Sequence, residues 1–392
     1  MTAYEVRLAT DEADRAAAYR LRYELYVETQ GLFHDVADHE RRWLRDALDA
    51  HAALWVARVG GEVVGTARII VGGPDRFDAE TRETFDIEAF TSVVAPEQIA
   101  VASRLLVLPQ HRGGVLPVLL IGAGWAWGIE RGVEVVLGEC EPHLLNTWLR
   151  LGFRPHGLCE HPINGTLVRL AFVMGDREHA EALDSPLAPH LRAYQGEPAL
   201  AERILGVLQH SRAVVSEADA TTDFWRTVEH TLARQELAQR LGALTDEELE
   251  ALLDEGHALD CEPGAMLIRK GHVSRTLYVL LAGSLIVRDE GETIVELTEP
   301  GEILGEVAFF IGGERMSDVL AGPSGARVLA LSERSLKRVV QTHGTGAAKF
   351  LMALTQGLCH KLRQRARRPS EALTLLGLQP VEPVEPEPEP GA

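Results

Sequence analysis

Residues 107–120 read VLPQHRGGVLPVLL, which combines an apolar strand end, a basic turn with adjacent glycines and the start of an apolar helix. Pro109 interrupts the strand, and Gly113 with Gly114 supplies the backbone freedom of a tight turn. Backbone amides in such a turn, and those in the first turn of the helix, can bind phosphate oxygens. We therefore expect a layered domain of strands and helices with a phosphate-binding loop at this point.

The sequence on both sides of this loop alternates between helical and strand patterns. Residues 11–29 favour a helix capped by Thr10 or Asp11, and residues 53–72, ALWVARVGGEVVGTARIIVG, favour a hairpin that turns at Gly60 and Gly61. Further predicted elements are strands at 99–108 and 132–139 and a helix from about 142 to 151. Together they predict an α+β domain over residues 1–190, with a mixed sheet and flanking helices.

The rest of the chain divides into a connector, a second domain and a tail. Residues 191–239 are polar and favour a helical connector. Over residues 240–365, a capping-box pattern at Thr245 and Glu248 precedes short glycine-punctuated strands, which predict an antiparallel barrel or jelly roll with flanking helices. Residues 366–392 end in alternating proline and glutamate, so we expect a disordered tail.

Charge excludes some classes of function. The 392 residues carry 39 Lys+Arg against 58 Asp+Glu, a net charge of −19, which argues against a protein whose main task is binding nucleic acid. The first lysine is Lys270, so residues 1–269 contain neither a phosphate-loop lysine nor a Schiff-base lysine.

The four cysteines lie far apart and form no CxxC pair, so neither a disulfide framework nor a usual zinc site is indicated, and we expect no metal. The longest apolar run, residues 115–128, is interrupted by Pro117 and is shorter than the roughly 20 residues of a membrane span. Residues 5–22 are polar, and we expect no signal peptide. The expectation is a cytoplasmic protein.

The phosphate loop, the strand before it and the later stretch HLLNTWLRLGF (143–153) resemble the GCN5-related N-acetyltransferases (GNAT) over about residues 1–175. That family's loop reads Gln/Arg-x-x-Gly-x-Gly/Ala, and Val115 stands in its last position. The resemblance implies that an acyl thioester's pantetheine arm pairs with the strand and its phosphate lies in the loop. The implied donor-binding residues are Leu105, Val107, Gln110, Arg112, Gly113 and Gly114.

Val115 crowds this loop and Pro117 removes one amide donor, which favours the single phosphodiester of an acyl carrier protein over coenzyme A; the alternative is that valine is simply tolerated. An acidic carrier would need a local arginine surface, for which Arg112 and Arg131 are candidates. A structure without such a surface would favour coenzyme A.

The first half of the chain resembles the N-acyl-homoserine lactone synthases and the related long-chain N-acyl amino acid synthases. The matching positions are Arg22 and Tyr26 with Leu32 or Phe33, Asp46 and Asp49, Arg68, and Ser103 with Arg104. The family's candidate general base is replaced by Val101, and Glu139, Glu141 and His143 are candidate replacements, of which we take Glu141. The resemblance implies catalytic roles for Arg22, Asp46, Asp49, Arg68, Ser103, Arg104 and Glu141, with a structural ion-pair network as the alternative.

Residues 240–365 resemble the cyclic-nucleotide-binding domain of the cAMP receptor protein superfamily. The implied phosphate-binding cassette consists of Gly305, Glu306, Val307, Ala308, Arg315, Met316 and Ser317. In it, Arg315 neutralises the cyclic phosphate of cAMP or cGMP and Glu306 accepts from the ribose hydroxyl. Because few residues follow the predicted barrel, we expect no helix-turn-helix reader of DNA. The helix after the barrel is a dimerisation element in that superfamily, so a homodimer is compatible with the sequence.

These resemblances predict an N-acyltransferase that moves an acyl group from an acyl thioester, with acyl carrier protein favoured over acyl-CoA, to a small amine such as an amino acid. Its activity would be regulated by the nucleotide-binding module. The alternatives are a cyclic-nucleotide-gated protein lysine acetyltransferase that uses acetyl-CoA, and a non-catalytic nucleotide sensor.

Overall fold

The computed structural model describes residues 3–161, 164–209, 214–215 and 234–365. Its N-terminal part is a seven-stranded sheet in the order β1-β2-β3-β4-β5-β7-β6, in which only β4 and β5 pair in parallel. The strands are β1 (Glu5–Leu8), β2 (Ala53–Val59), β3 (Glu62–Val71), β4 (Ile99–Val107), β5 (Val135–Cys140), β6 (Arg154–His161) and β7 (Gly165–Val173). This mixed sheet confirms the fold class expected for the first domain.

Among the described residues, seven α-helices flank the sheet: α1 (Glu12–Arg22), α2 (Ala79–Thr84), α3 (Ile87–Thr91), α4 (Leu116–Ile129), α5 (Leu145–Arg150), α6 (Arg177–Ala182) and α7 (Pro198–Leu208). Asp11 caps α1 by accepting a hydrogen bond from the amide of Asp14 at 2.7 Å. The predicted helix then continues as a π-helix over Tyr23–Thr29. Apolar residues of α4 cover one face of the sheet, and those of α1, α3 and α7 cover the other.

The sheet opens between β4 and β5. The two strands pair at three positions, from Ile99 opposite Val135 to Val101 opposite Leu137. Ser103 and Glu139 both lie beyond the last of these pairs, on the face covered by α1, because side chains alternate along a strand. The opening therefore places the ends of β4 and β5 on either side of a gap that starts within the sheet.

The C-terminal part is a second, antiparallel sheet. Its path runs β12-β11-β14-β9-β8, with β10 paired to β14 and β13 paired to β11. The strands are β8 (Val214–Val215), β9 (His257–Cys261), β10 (Met266–Ile268), β11 (Thr276–Asp289), β12 (Glu292–Leu297), β13 (Ile303–Leu304) and β14 (Asp318–Ser332). Long β11 and β14 pair along most of their length, and this arrangement confirms the jelly-roll-like second domain.

Helices flank this second sheet: α8 (Arg234–Arg240), α9 (Asp246–Asp254), α10 (Glu306–Ile311), α11 (Glu333–Thr342) and α12 (Gly344–Arg365). Thr245 and Glu248 form the predicted capping box at α9. The break between α11 and α12 falls at His343. Among the described residues, no helix is long and apolar enough to cross a lipid bilayer.

The predicted connector, residues 191–239, contributes to both domains. Leu200, Ile204 and Leu208 of α7 join the apolar core below the first sheet, while the short β8 pairs with β9 of the second sheet. Residues 216–233 lie outside the described part of the chain, as does the tail over residues 366–392.

The two sheets are in direct contact. The Thr166 hydroxyl on β7 donates to the Met266 carbonyl on β10 at 2.6 Å, and Arg269 forms an ion pair with Glu160 of β6 at 3.0 Å.

Candidate functional site

A cluster of buried charges lies where α1, β3 and β4 meet a short 3-10 turn, Ala47–Ala50. Asp46 caps this turn and Asp49 accepts a hydrogen bond from the Asp46 amide at 3.0 Å, so a local capping box fixes both carboxylates. Nη1 of Arg22 donates to both carboxylate oxygens of Asp49 at 2.9 Å. Arg22 is 1% exposed and Asp49 is 3% exposed, so this ion pair is shielded from water.

Two further arginines extend the cluster to the end of β4. Nη1 of Arg68 contacts Asp46 and lies 3.3 Å from Oδ1 of Asp49, while its Nε donates to Ser103 Oγ at 3.0 Å. Nη2 of Arg104 donates to Oδ2 of Asp46 at 3.2 Å. Burial opposes ionisation of Asp46, but the charges of Arg68 and Arg104 hold its pKa below the ordinary value.

Arg104 also stacks on the aromatic residues of the N-terminal segment. Its guanidinium carbon lies 5.3 Å from the ring centre of Tyr26 and 4.9 Å from that of Phe33, within the range of cation–π attraction. Of the two candidates Leu32 and Phe33, Phe33 therefore makes the aromatic contact. The six predicted residues Arg22, Asp46, Asp49, Arg68, Ser103 and Arg104 form one connected group.

A β-bulge in β4 gives Arg104 its position. The pairing of β3 with β4 shifts register between Thr66 and Arg68, and Arg104 has a φ of +54°. A non-glycine residue in the left-handed region is strained, and such residues cluster at functional sites. The bulge turns β4 away from regular pairing beside the gap between β4 and β5.

Glu139 of β5 faces the same gap. It lies opposite Arg169 of β7, and its Oε2 accepts from the Cys159 thiol at 3.8 Å. Burial raises the pKa of Glu139 to about 6, with Arg104 and the Cys159 hydrogen bond acting in the opposite direction. A carboxylate with such a pKa is suited to general-base catalysis near neutral pH.

Glu141 does not join the Arg104 group. Its Oε2 lies 3.3 Å from Nδ1 of His143, and it interacts with His272 and Ser274 of the second domain. Of the three candidate replacements for the missing base, Glu139 is the one on the face of the charged cluster.

The predicted donor loop surrounds the start of α4. Gln110 is part of a 3-10 turn, Pro109–His111, and Gly113 has a φ of +76°, which only glycine adopts without strain. A Cβ on Gly113 would meet no atom within 4 Å, so the loop borders open space. Nε of Arg112 donates to the Val107 carbonyl at 2.9 Å, which ties the loop to the end of β4.

The other donor residues differ in accessibility. Leu105 follows Arg104 in the bulge and is partly exposed, whereas Val107 is buried and pairs with Gly65 of β3. Gly114 is exposed beside Val115, whose exposure is 58%. Val115 therefore projects from the loop toward solvent.

The nucleotide cassette is built around Gly305 and Arg315. Gly305 has a φ of +81° and directly precedes α10, and its carbonyl accepts from Nη1 of Arg315 at 2.8 Å. Nη2 of Arg315 donates to the Thr276 carbonyl at 2.5 Å. Arg315 is 4% exposed, and its Nε has no hydrogen-bond partner.

The remaining cassette residues are placed by α10 and the following turn. Glu306 is buried and accepts a hydrogen bond from Nζ of Lys361 on α12 at 2.9 Å. Ala308 is also buried, while Val307 and Met316 are exposed and Ser317 is partly exposed. Lys361 was not predicted to contact the cassette, because nothing in the local sequence indicates that α12 returns to α10.

Family models match both domains. Residues 17–163 match the model of the N-acyl amino acid synthase FeeM, and residues 259–343 match that of the cyclic nucleotide-binding domain. The chain joins a region similar to N-acyl amino acid synthases to one similar to cyclic-nucleotide-binding domains. Both resemblances seen in the sequence are thereby confirmed.

Curated relatives match one domain each. The L-ornithine N(alpha)-acyltransferase of Rhodobacter capsulatus is 30% identical over 149 residues, which are 36% of this chain and 57% of that protein. The cAMP-activated global transcriptional regulator CRP of Pasteurella multocida is 27% identical over 129 residues, which are 32% of this chain and 60% of that protein. The chain thus spans less than two thirds of the length of either relative.

Among solved structures, FeeM from uncultured soil microbes, an N-acyl amino acid synthase, aligns with 48% of this chain and 98% of its own. The identity is 16% and the TM-score is 0.37.

Proposed function

We propose that the protein transfers an acyl group from a phosphopantetheine thioester to the amine of a small molecule, with an amino acid as the favoured acceptor. The observation that carries this proposal is the position of Glu139, a half-buried carboxylate with a raised pKa at the gap between β4 and β5. The charged cluster of Arg22, Asp46 and Arg104 borders the same face. The match to the N-acyl amino acid synthase model supports the assignment.

Glu139 is the proposed general base, in place of Glu141. The acceptor amine gives a proton to the Glu139 carboxylate as its nitrogen attacks the thioester carbonyl, a C–N bond forms, and the C–S bond then breaks. The proton passes to the leaving thiolate, so the products are an amide and a free thiol. Removal of one proton by a positioned carboxylate contributes typically 10²–10⁴-fold to such a rate.

The acceptor site is proposed next to Glu139. A cleft of about 640 Å³ is lined by Cys159 and Arg169. The Cys159 thiol contacts Glu139, and Arg169 pairs with Glu139 across the β5–β7 ladder. Four carboxylates also line this cleft, namely Asp86, Glu160, Asp260 and Glu262. An acidic lining attracts a cationic amine, while Arg169 is a candidate to hold a carboxylate. This chemistry suits an amino acid, and L-ornithine is the acceptor named for one relative.

The donor is proposed to lie along β4 with its phosphate at Gln110, Arg112, Gly113 and Gly114. Arg131, the second arginine of the proposed carrier surface, follows α4 and stacks on Trp127 at 4.2 Å. Since α4 has 14 residues and rises about 1.5 Å per residue, Arg131 lies roughly 20 Å from the loop. Arg112 remains as the loop's arginine, which moves the preference from the carrier protein toward coenzyme A.

The second domain is proposed to bind cAMP or cGMP and to regulate acyl transfer. Arg315 is already held in place by two carbonyls, and Glu306 lies beside it at the start of α10. The four cysteines are free thiols, three of them buried, which favours a reducing compartment such as the cytoplasm.

Extraction of lipids from cells that express the full chain, followed by mass spectrometry, tests the activity. We expect N-acyl amino acids that disappear with Glu139→Gln and Arg104→Ala but persist with Arg177→Ala, an exposed arginine of α6 that pairs with Glu181 and belongs to none of the proposed sites. The purified protein then receives acyl-CoA or acyl carrier protein with the identified amino acid. Absence of any amide product, together with acetyl-CoA turnover on lysine peptides, would contradict the proposal.

A further inference from the structure

The carboxylate of Glu141, from the first domain, lies at a cavity of the second domain. The end of β5 and the following turn, with Glu141 and Pro142, line one small cavity together with His272, Ser274 and Arg315 of the second domain. The same cavity contains Asn164 from the β6–β7 connection. The residue expected to neutralise a cyclic phosphate thus shares its cavity with a carboxylate from the other domain.

The charges around Glu141 are those of an anion site. Burial opposes its ionisation, yet interactions with His143, His272 and Ser274 hold the pKa of Glu141 below its ordinary range. Its negative charge in turn offsets part of the cost of burying the Arg315 cation. The Glu141 side chain is 24% exposed, and cations and donors must replace the part of its hydration that burial removes; His272 and Ser274 of the second domain are two of these partners.

Arg315 has no carboxylate hydrogen-bonded to it from its own domain among the described residues. Its two Nη atoms donate to the carbonyls of Gly305 and Thr276, which orient the side chain without neutralising it. His143 approaches the same Thr276, with 3.4 Å between Nδ1 and the threonine Oγ1. The turn after β5 is therefore fastened beside the residue that positions Arg315.

We propose that Glu141 occupies the phosphate position of the nucleotide site, so that a cyclic nucleotide can bind only after the segment 141–143 has left it. The Glu141 carboxylate and a cyclic phosphate are both anions, and the small cavity that Glu141 shares with Arg315 has room for one of them at a time. The inference rests on the proposed nucleotide binding of the second domain. It adds that Glu141 competes with the nucleotide, and that displacement of Glu141 transmits nucleotide binding to the first domain.

The route is short. Glu139 is the second-to-last residue of β5 and Glu141 directly follows the strand, so the two are only about 6.5 Å apart along the chain. A displacement of Glu141 therefore acts directly on the strand that carries the proposed base. Because coupling free energies are reciprocal, ligands of the acyl-transfer site will also change nucleotide affinity.

Calorimetry with cAMP and cGMP on the full chain tests the competition. If the closed arrangement is occupied about 90% of the time, the apparent Kd is about tenfold above the intrinsic value. We therefore expect Glu141→Gln, which removes the competing charge, to lower the Kd about tenfold. Glu160→Gln is the matched control, because Glu160 lies at the same contact between domains but pairs with Arg269 instead of sharing the cavity of Arg315. We expect it to leave the Kd within about twofold.

Two further measurements make the outcome specific. The gain from Glu141→Gln is expected to vanish in the Arg315→Ala background, and hydrogen exchange in residues 141–150 of the unmodified protein is expected to rise when nucleotide is added. An unchanged or higher Kd for Glu141→Gln overturns the competition, as does a failure of both forms to bind either nucleotide. Formation of N-acyl amino acids is assayed separately. The calorimetry therefore decides only the competition at the nucleotide site, and the lipid analysis decides only the proposed acyl transfer.

Discussion

Arg22 and Asp49 form a two-point ion pair in the interior: one guanidinium nitrogen donates to both carboxylate oxygens at 2.9 Å. The pair joins the end of α1 to the turn that precedes β2. It lies under the Asp46–Arg104 contact, which is more exposed and closer to the gap in the sheet. The cluster therefore has a structural base and a partly accessible upper part.

Asp49→Asn should reveal the structural part of this cluster. Loss of one partner of a buried ion pair leaves an uncompensated charge and typically costs about 3–5 kcal/mol. We expect a loss of that order in the free energy of unfolding, measured by urea denaturation. Glu28→Gln, which breaks the exposed pair with Arg42, should cost at most about 1 kcal/mol. Equal losses in the free energy of unfolding for the two variants would show that the buried pair stabilises the fold no more than the exposed pair does.

Glu139→Gln should abolish the acid limb of the pH–rate profile. Since burial raises the pKa of Glu139 to about 6, its carboxylate form, and with it kcat/KM, should increase as the pH rises through about 6. The glutamine variant should lose 10²–10⁴-fold in rate and show no inflection there. Cys159→Ala removes a hydrogen bond that lowers this pKa, so its inflection should move to higher pH. A profile that is unchanged in the glutamine variant would exclude Glu139 as the base.

The raised pKa of Glu139 also predicts how the stability of the folded protein depends on pH. The folded-state pKa of Glu139 is raised above its usual 4.5, so folding favours the protonated form. Its stabilising contribution is complete below pH 4.5 and is lost as the pH rises to about 6. Glu139→Gln, a neutral mimic of the protonated form, should therefore raise the Tm at pH 7.5 and change it little at pH 4.5. A lower Tm at pH 7.5 would contradict this.

Lys361→Met should loosen the connection between α12 and the cassette. Lys361 contacts both the buried carboxylate of Glu306 and the Ile303 carbonyl. Without the ammonium, Glu306 is left buried beside fewer donors, and we expect faster hydrogen exchange in α10 and in the second half of α12. Lys337→Met is the control, since its i,i+4 pair with Glu333 is exposed and worth about 0.3–0.5 kcal/mol. Identical exchange in both variants would argue against the link.

Local patterns predicted much of the fold. The Gly60–Gly61 turn, the Asp11 cap and the capping box at Thr245 all formed as expected, because a few neighbouring residues determine each of them. The sequence also indicated the members of the Arg22–Arg104 cluster through spacing typical of a family. It could not show that they contact one another, because those contacts join segments up to 58 residues apart.

Glu139 and Glu141 show where sequence reasoning ends. Both lie at the end of an apolar strand, and the sequence pattern does not show which of the two faces the charged cluster. Burial raises the pKa of Glu139, whereas the neighbouring His143, together with His272 and Ser274 from the second domain, stabilises the charge of Glu141. Selection between the two depends on tertiary packing, which periodicity does not encode. The joining of β8 to the second sheet is a similar case, since a two-residue strand carries no pattern of its own.

Gly305→Ala should remove nucleotide binding while the barrel remains folded. A Cβ at this position would lie 2.2 Å from Nη1 of Arg315 and 3.0 Å from the Thr276 carbonyl oxygen, and the φ of +81° would be strained for alanine. The guanidinium must therefore move away from the carbonyls that orient it, and calorimetry should detect no cAMP binding at concentrations that saturate the unmodified protein.

Gly264→Ala provides the matched control for this change. It places the same strain at a φ of +78°, but its Cβ would meet no atom within 4 Å. The two variants should lose similar stability, about 1–2 kcal/mol, and differ in nucleotide affinity. Retained binding in Gly305→Ala would show that Arg315 does not need its present orientation to hold the phosphate.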